Sequence, residues 1–479
     1  TIEDDLGQGL RLRRASALLE AAIPRAARLG AQPRCARVLQ SLSRLTMALS
    51  EGAYRATEEQ RARDKEAEEQ EARLSALAAR LCYLGSTGVP PRWSHLGWLQ
   101  PSGAPLALAR EGGQVILAAG AIGAGKSPAL LALLEAALFP RPALTSATLP
   151  PTAAVVFHCD LTGVTLPELL HSLRPNDREA DRALLAQALW TEPAGLPRLR
   201  LVVPRDQLEA TYARVRAELG ELPAGLSILP LAFPLGALGA LGLESLLGVD
   251  PDDPPRYLQE VLAEAQELGE ELTCGALAMA IEASAAIPEW LKEQALARLR
   301  LLERIEDPRA DLWDLVEPGV LTVVNLSGRW LRRGEALPLI VALLNAFAQH
   351  SPRHGAFQRI LAVDEINRLR GAPALWAALT TTARQIRHFG SVLWLSGQDL
   401  LNVPEELLAL ATQLLCFRLR SPKLFAHLQR NSAGLARVRF SRISRLRPGH
   451  ALVVAAEASQ PELRGRPQLI YVRPPSCAH

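Results

Sequence analysis

Two short stretches carry residue types that could bind and split a polyphosphate. The first is GAIGAGKSPAL, residues 120–130, which fits the spacing G-x-x-x-x-G-K-S through Gly120, Gly125, Lys126 and Ser127, with Gly123 and Ala124 between them. Glycines let a backbone curl closely enough for its amides to cradle phosphates; a lysine at that place reaches the β/γ oxygens, and the serine hydroxyl can ligate magnesium. The apolar run QVILAAG leads into the loop and SPALLALLEAALF reads as a helix behind it. Pro128 follows the serine, where the next backbone amide is expected to face the nucleotide, and proline has no N–H to offer. At a helix start that amide has no intrahelical acceptor, so the ring suits the helix and the cost falls on a nucleotide contact near the α-phosphate. Gly120, Gly123, Ala124, Gly125, Lys126, Ser127 and Pro128 are therefore the expected nucleotide-binding set.

Hydrolysis also needs a placed metal and an oriented water. The second stretch, RILAVDEINRLRG, supplies them: an apolar strand ends at Asp364, which with Ser127 supports a magnesium shell, and at Glu365, which polarises the attacking water. In SVLWLSGQD, Gln398 follows another buried strand, where its amide is placed to sense the γ-phosphate or the hydrolytic water. Just upstream, TARQIRHFG offers Arg384 and Arg387, candidates for acting in their own subunit, contacting DNA, or completing a neighbour's site. FHCDLTG adds Asp160 and Gly163 at a strand end, with a helix cap or turn as the alternative role for Asp160. His158 and Cys159 lack a third orienting group and do not form a nucleophilic pair. No glycosidase, protease or dinucleotide-binding pattern competes.

These residues must be held by a sheet. Short apolar runs at 153–159, 199–204, 226–231, 320–326, 359–365, 391–397 and 413–419, separated by helical segments, predict a largely parallel α/β sheet with helices on both faces. ALVVAA and QLIYVR add a terminal hairpin or edge strands. Residues 1 to about 45 read as two helices separated near Pro24 or Pro33, and 47–84 as a solvated helix or helical hairpin. The turn-rich GSTGVPPRWSHLGWLQPSG reads as a connection at a domain boundary. The expected divisions are a helical N-terminal region, 1–92; a first part of the α/β domain that carries the phosphate loop, 93–252; a helical insertion, 253–310; and a second part with the C-terminal strands, 311–479.

The 479 residues suffice for an enzyme with an accessory part. With 53 basic and 50 acidic residues the net charge is only +3, too small for wrapping nucleic acid over the whole surface, though a basic channel remains compatible with it. Six scattered cysteines without a CxxC pair point to a reducing compartment and support neither a disulfide framework nor a zinc site. The uncharged run Leu222–Leu243 is long enough to span a bilayer, but its three prolines and several glycines make it a strand, a turn and a helix start.

With these elements placed, the sequence resembles the FtsK/HerA branch of RecA-like P-loop ATPases, which includes DNA translocases and conjugative coupling proteins. VILAAGAIGAGKS resembles that family's strand and phosphate loop, ILAVDEINRL its acidic motif, IRHFGSVLWLSGQDLLNVPEEL its arginine, strand and glutamine segment, and SPKLFAHLQR with LRPGHALVVA its closing region. The resemblance, over roughly residues 93–475, implies ATP and Mg2+ as ligands, a ring of identical subunits, by default a hexamer, and double-stranded DNA as the moved substrate. It makes Arg387 the leading finger into a neighbour's site. A nuclease, relaxase or secretion-system partner and a cytoplasmic location, with recruitment to a membrane through a partner and no span of its own, complete the expectation. The chain departs from the family in Pro128, in the absence of a threonine before Gln398, and in an N-terminal region more helical than a small barrel. Alternative readings are a related ATPase driving protein secretion or assembly, and a nucleotide-regulated structural subunit.

Overall fold

The computed structural model describes residues 2–28, 33–141, 143–146, 152–158, 166–247, 255–326, 339–344, 346–347, 357–369, 373–386, 388 and 390–479. The chain forms two compact units, Thr1–Ala79 and Arg80–His479.

The first unit consists of the helix Ile2–Arg28 and the greater part of the helix Pro33–Arg80. Pro24, itself exposed, lies inside the first helix and does not end it, and the second helix begins at Pro33. The two helices meet through small residues, with Ser16 Oγ donating to the Ser43 carbonyl at 3.0 Å.

The second unit is built on one 13-stranded sheet. Its strands are β1 (Cys82–Leu84), β2 (Trp93–Leu99), β3 (Pro105–Ala109), β4 (Gln114–Ala119), β5 (Thr152–His158), β6 (Leu199–Pro204) and β7 (Leu226–Leu231). They continue with β8 (Leu321–Asn325), β9 (Gln358–Val363), β10 (Val392–Gly397), β11 (Gln413–Cys416), β12 (His450–Ala455) and β13 (Gln468–Val472). The spatial order is β1-β3-β2-β13-β12-β11-β4-β10-β9-β5-β8-β6-β7. From β11 to β7 all neighbours run parallel.

The inner strands of this half read as unbroken apolar runs because both faces are covered. Val115, Leu117, Leu361, Val363, Leu393 and Leu395 point into one core. Their alternates Ile116, Ala118, Ile360, Ala362, Val392 and Trp394 point into the other, which also receives the helix Lys126–Leu138. The insertion helices Arg256–Leu268, Cys274–Ala283 and Glu289–Leu302 bury Leu258, Leu277 and Leu299 in the first core. The uncharged run 222–243 resolves into β7, a turn and the start of the helix Gly239–Leu247. Among the described residues no helix is long and apolar enough to cross a membrane.

The other half differs from the sequence expectation. The turn-rich stretch after Gly85 is no linker: Trp93–Leu99 forms β2, paired antiparallel with β3 and β13, and Cys82–Leu84, read as a helix end, pairs parallel with β3. Glycines and prolines masked the strand period, yet Gly97 is there for closeness, since a Cβ would stand 2.0 Å from the Tyr471 carbonyl oxygen. The last two strands do form an antiparallel pair, but β13 is covered by β2 and neither is an edge.

Candidate nucleotide site

The register brings four chain segments to one end of the sheet. Ala119 is level with Gly397 of β10 and with Cys416 of β11, and Val363 of β9 is level with Leu395. The residues just beyond these strand ends, Gly120, Asp364, Gln398 and Phe417, therefore emerge side by side at the carboxyl edge. In open α/β sheets that is where ligands bind.

The loop between β4 and the helix Lys126–Leu138 curls through Gly123 (φ 69°) and Gly125 (φ 114°), backbone shapes that side chains resist. It is fastened from both sides. Gly120 N–H donates to the Gly397 carbonyl at 3.2 Å, Ala121 N–H to the Arg418 carbonyl at 2.9 Å, and Gly449 N–H to the Ala124 carbonyl at 3.1 Å. Phe417 fills the space where a Cβ on Gly120 would fall, 2.7 Å from its own Cβ. Among the described residues the amides of Gly123, Gly125, Lys126 and Ser127 donate to no backbone carbonyl. Free amides at a helix N-terminus, in a curled glycine loop, are donors for an anion.

Pro128 is the third residue of this helix, and the first helical bond comes one residue later, from Ala129 N–H to the Gly125 carbonyl at 3.2 Å. The proline thus removes no helical hydrogen bond, only an outward-facing donor.

Lys126 is 6% exposed, and its ammonium donates to the carbonyls of Gly120 at 2.8 Å and Ala121 at 3.3 Å. Burial pushes its pKa down; the carboxylates of Glu365, Asp364 and Glu168 oppose the shift. A buried ammonium held only by loop carbonyls, with negative groups at a distance, suits it to meet further negative charge.

Across the strand ends, Asp364 Oδ1 accepts from Ser396 Oγ at 2.7 Å and from the Glu365 amide at 3.1 Å. Glu365 takes the left-handed backbone shape (φ 57°), costing about 1 kcal/mol for a side-chain-bearing residue. Gln398 Nε2 donates to both of its carboxylate oxygens, at 2.9 and 3.0 Å, while the Gln398 amide donates to Asn367 Oδ1 at 2.9 Å. The structure thus brings together the loop, Lys126, Asp364, Glu365 and Gln398. Arg384 lies on the helix Pro373–Gln385 and forms an exposed ion pair with Glu406. Arg387, Cys159, Asp160 and Gly163 lie outside the described residues.

The sequence reading missed Ser396 and Asn367, which position Asp364 and Gln398, and Gly449, which fastens the loop. It also missed Glu135, on the loop's own helix and 1% exposed. Glu135 is ion-paired with buried Arg473 and accepts from the Ser476 amide and hydroxyl, each at 2.7 Å. A single carboxylate in the apolar run PALLALLEAAL was the available signal.

The donor set fits Mg2+ of the kind completed by substrate. Among the described residues no group of three or more His, Cys, Asp or Glu could cage a metal. Mg2+ in phosphate sites is commonly held by one or two carboxylates together with phosphates, which Ser127 and Asp364 allow.

Eight parallel strands, a phosphate-type loop at a helix start, and an acidic pair two strands away make this a RecA-like P-loop NTPase fold with a helical insertion and a helical N-terminal region. No protein-family model matches the sequence. Among solved structures the chain is similar to VirB4 of Thermoanaerobacter pseudethanolicus, at 13% identity over 81% of this chain and 98% of that one, TM-score 0.44. It is similar to the plasmid coupling protein TrwB in complex with ADP and Mg2+, at 14% identity over 82% and 100%, TM-score 0.44. A third is the cytoplasmic domain of the Thermomonospora curvata type VII secretion ATPase EccC, at 13% identity over 81% and 29%, TM-score 0.31.

Proposed function

We propose that the chain is an ATP-hydrolysing motor that moves double-stranded DNA as a ring of identical subunits, by default a hexamer, on the cytoplasmic side. The observation that carries the ATPase reading is the pairing of Glu365 with Gln398 across the strand ends from Lys126 and its free loop amides. The order of the four motif segments supports the motor reading, and the FtsK/HerA resemblance supplies the DNA cargo and the ring.

In this reading the amides of Gly123, Gly125, Lys126 and Ser127 hold the β- and γ-phosphates, and Lys126 turns from the loop carbonyls to the γ-phosphate oxygens. Ser127 and Asp364 hold Mg2+, which when bound supplies charge neutralisation on the phosphates. Ser396 fixes the Asp364 carboxylate for that task. Glu365 accepts a hydrogen bond from the attacking water, and Gln398 sets the direction of its carboxylate. Arg387 is the proposed donor to a neighbouring subunit's nucleotide. The missing amide of Pro128 weakens the hold on the α-phosphate without removing the catalytic groups.

One experiment tests the whole reading: ATP turnover titrated with linear duplex DNA, with mass measured on the same sample. Stimulation by DNA in an assembled ring, lost in K126A and E365Q, is the expected result. Turnover that no DNA changes, in a protein that binds none, overturns the cargo; absent turnover in the assembled protein overturns the motor.

A further inference from the structure

From Leu407 to Ala456 the chain has no Asp or Glu, although a chain with 50 acidic residues in 479 would place about five in a stretch of that length. The same stretch carries nine Lys and Arg between Arg418 and Arg447, and eight of them are exposed. Some exposed arginines elsewhere in this unit sit on carboxylates, as Arg205 does on Asp307 at 3.0 Å and Arg384 on Glu406. Among the described residues none of these eight cations has such a partner.

The cations are carried on an ordered frame. Ser421 caps the helix Pro422–Asn431 by accepting from the Leu424 amide at 3.2 Å. That helix buries Leu424, Phe425 and Leu428, and its Phe425 ring lies 5.9 Å from Phe440 of the helix Phe440–Ser444. Gln429 Nε2 ties the turn between them, donating to the carbonyls of Leu435 at 3.0 Å and Val438 at 2.9 Å. Val438, Ile443 and Leu446 face inward, so Arg437, Arg439, Arg442 and Arg445 face out.

This lobe is clasped to the phosphate loop at both ends. The Arg418 carbonyl, where it begins, receives the Ala121 amide, and the Gly449 amide, where it ends, donates to the Ala124 carbonyl. A load on the lobe therefore bears on the backbone that cradles the nucleotide.

We infer that the lobe from Arg420 to Arg447 is a docking surface for the phosphate backbone of nucleic acid, coupled through Arg418 and Gly449 to the nucleotide loop. The inference deepens the DNA reading above and rests on it for the identity of the polyanion. A one-sign stripe of Lys and Arg with no acid to neutralise it is the electrostatic footprint of such a partner, which releases counterions on binding and is held without regard to sequence. In a chain whose net charge is only +3, the local imbalance is what distinguishes this surface from an ordinary solvated face.

The test uses the full chain and a fluorescein-labelled duplex of about 30 base pairs, with affinity measured by anisotropy between about 50 and 200 mM salt. In a variant carrying Arg439→Gln, Arg442→Gln and Arg445→Gln, affinity is expected to fall at least about tenfold and the log–log salt slope to shrink by about two to three. Equal neutralisation on the helix Pro33–Arg80, by Arg55→Gln, Arg61→Gln and Arg63→Gln, should change neither. If the triple lobe variant melts earlier than the wild type, single Arg439→Gln and Arg442→Gln variants replace it, each expected to reduce the slope by about one. Wild-type affinity and slope in the lobe variants overturn the inference, as does preferential binding of poly-glutamate over duplex, which would mark an acidic protein as the partner. Lobe-dependent DNA binding without ATP turnover sinks the motor and leaves the lobe standing; turnover in a protein that binds DNA independently of the lobe does the reverse.

Discussion

Strands β5 and β9 have a buried cation near each end of the layer they share, and the two cations are held in opposite ways. At the carboxyl ends, Lys126 is held by two loop carbonyls beside unused amides. At the amino ends, Arg110 is 0% exposed; its guanidinium donates to Thr152 Oγ1 at 3.3 Å, Gln358 Oε1 at 3.2 Å and Thr145 Oγ1 at 3.2 Å. Burial pushes the Arg110 pKa down to about 10, with Arg92 adding to the shift. Burial of charge is thus common to both ends and does not distinguish them. The difference lies in the surrounding donors and carboxylates: Arg110 is tied to the side chains that begin β5 and β9 and to Thr145, a structural lock, while Lys126 sits among groups still free to bind.

The largest expected effects fall at the free end. Glu365→Gln should lower ATP turnover by about three orders of magnitude, the middle of the range for general-base removal, while a non-hydrolysable analogue still binds. Lys126→Ala should lose turnover and analogue binding together. Single-turnover hydrolysis and equilibrium binding on the same preparations separate the two. An E365Q protein that hydrolyses at the wild-type rate would remove Glu365 from the mechanism.

At the locked end the expectation reverses. Arg110→Ala leaves Gln358 and Thr152 without their donor and opens a cavity, so urea unfolding of the domain should show a loss of about 3 kcal/mol. Nucleotide affinity at the far ends of the strands should stay within about twofold, since additivity holds for distant sites. A variant with normal stability and impaired nucleotide binding would break the comparison.

A buried group in the antiparallel half adds a test through pH. His95 of β2 is fully buried, its ring edge-on to Trp98 at 5.3 Å. Burial, reinforced by Arg473, pushes its pKa from 6.5 down to about 3. The folded chain therefore resists a proton that the unfolded chain accepts. Its contribution is complete above pH 6.5 and is lost as pH falls from 6.5 toward 3, at up to about 1.4 kcal/mol per pH unit. His95→Phe should flatten the acid limb of unfolding free energy against pH by one proton; an unchanged limb would show that His95 does not titrate there.

The same contrast explains what could be read from the sequence. The parallel half was legible because strands covered on both faces are written as continuous apolar runs: 199–204 coincides with β6, and 359–365 and 391–397 overlap β9 and β10. The antiparallel half was not, because Gly97, which allows close approach to Tyr471, and the prolines flanking β2 interrupt the pattern that announces a strand. At the site, residues with a fixed spacing were legible, namely the loop and the adjacent pair Asp364 and Glu365. Ser396, Asn367 and Gly449 were not, because each acts on a residue distant in sequence, and Arg110 looked like any other arginine in an arginine-rich chain.

The smallest effect concerns Pro128, and it sharpens the account of the free end most closely. The helix Lys126–Leu138 begins with Pro128 as its third residue, and the first helical bond belongs to Ala129, so the proline takes nothing from the fold. What it takes is one N–H among the amides proposed to hold the phosphates. Pro128→Ala or Pro128→Thr should restore that donor and raise nucleotide affinity by about three- to tenfold, the value of one hydrogen bond of roughly 1 kcal/mol. Because the restored contact lies near the α-phosphate, ADP and ATP should gain equally, and the ratio of their affinities should not move. Unchanged affinity and turnover in both variants would show that the remaining loop amides already carry the full load.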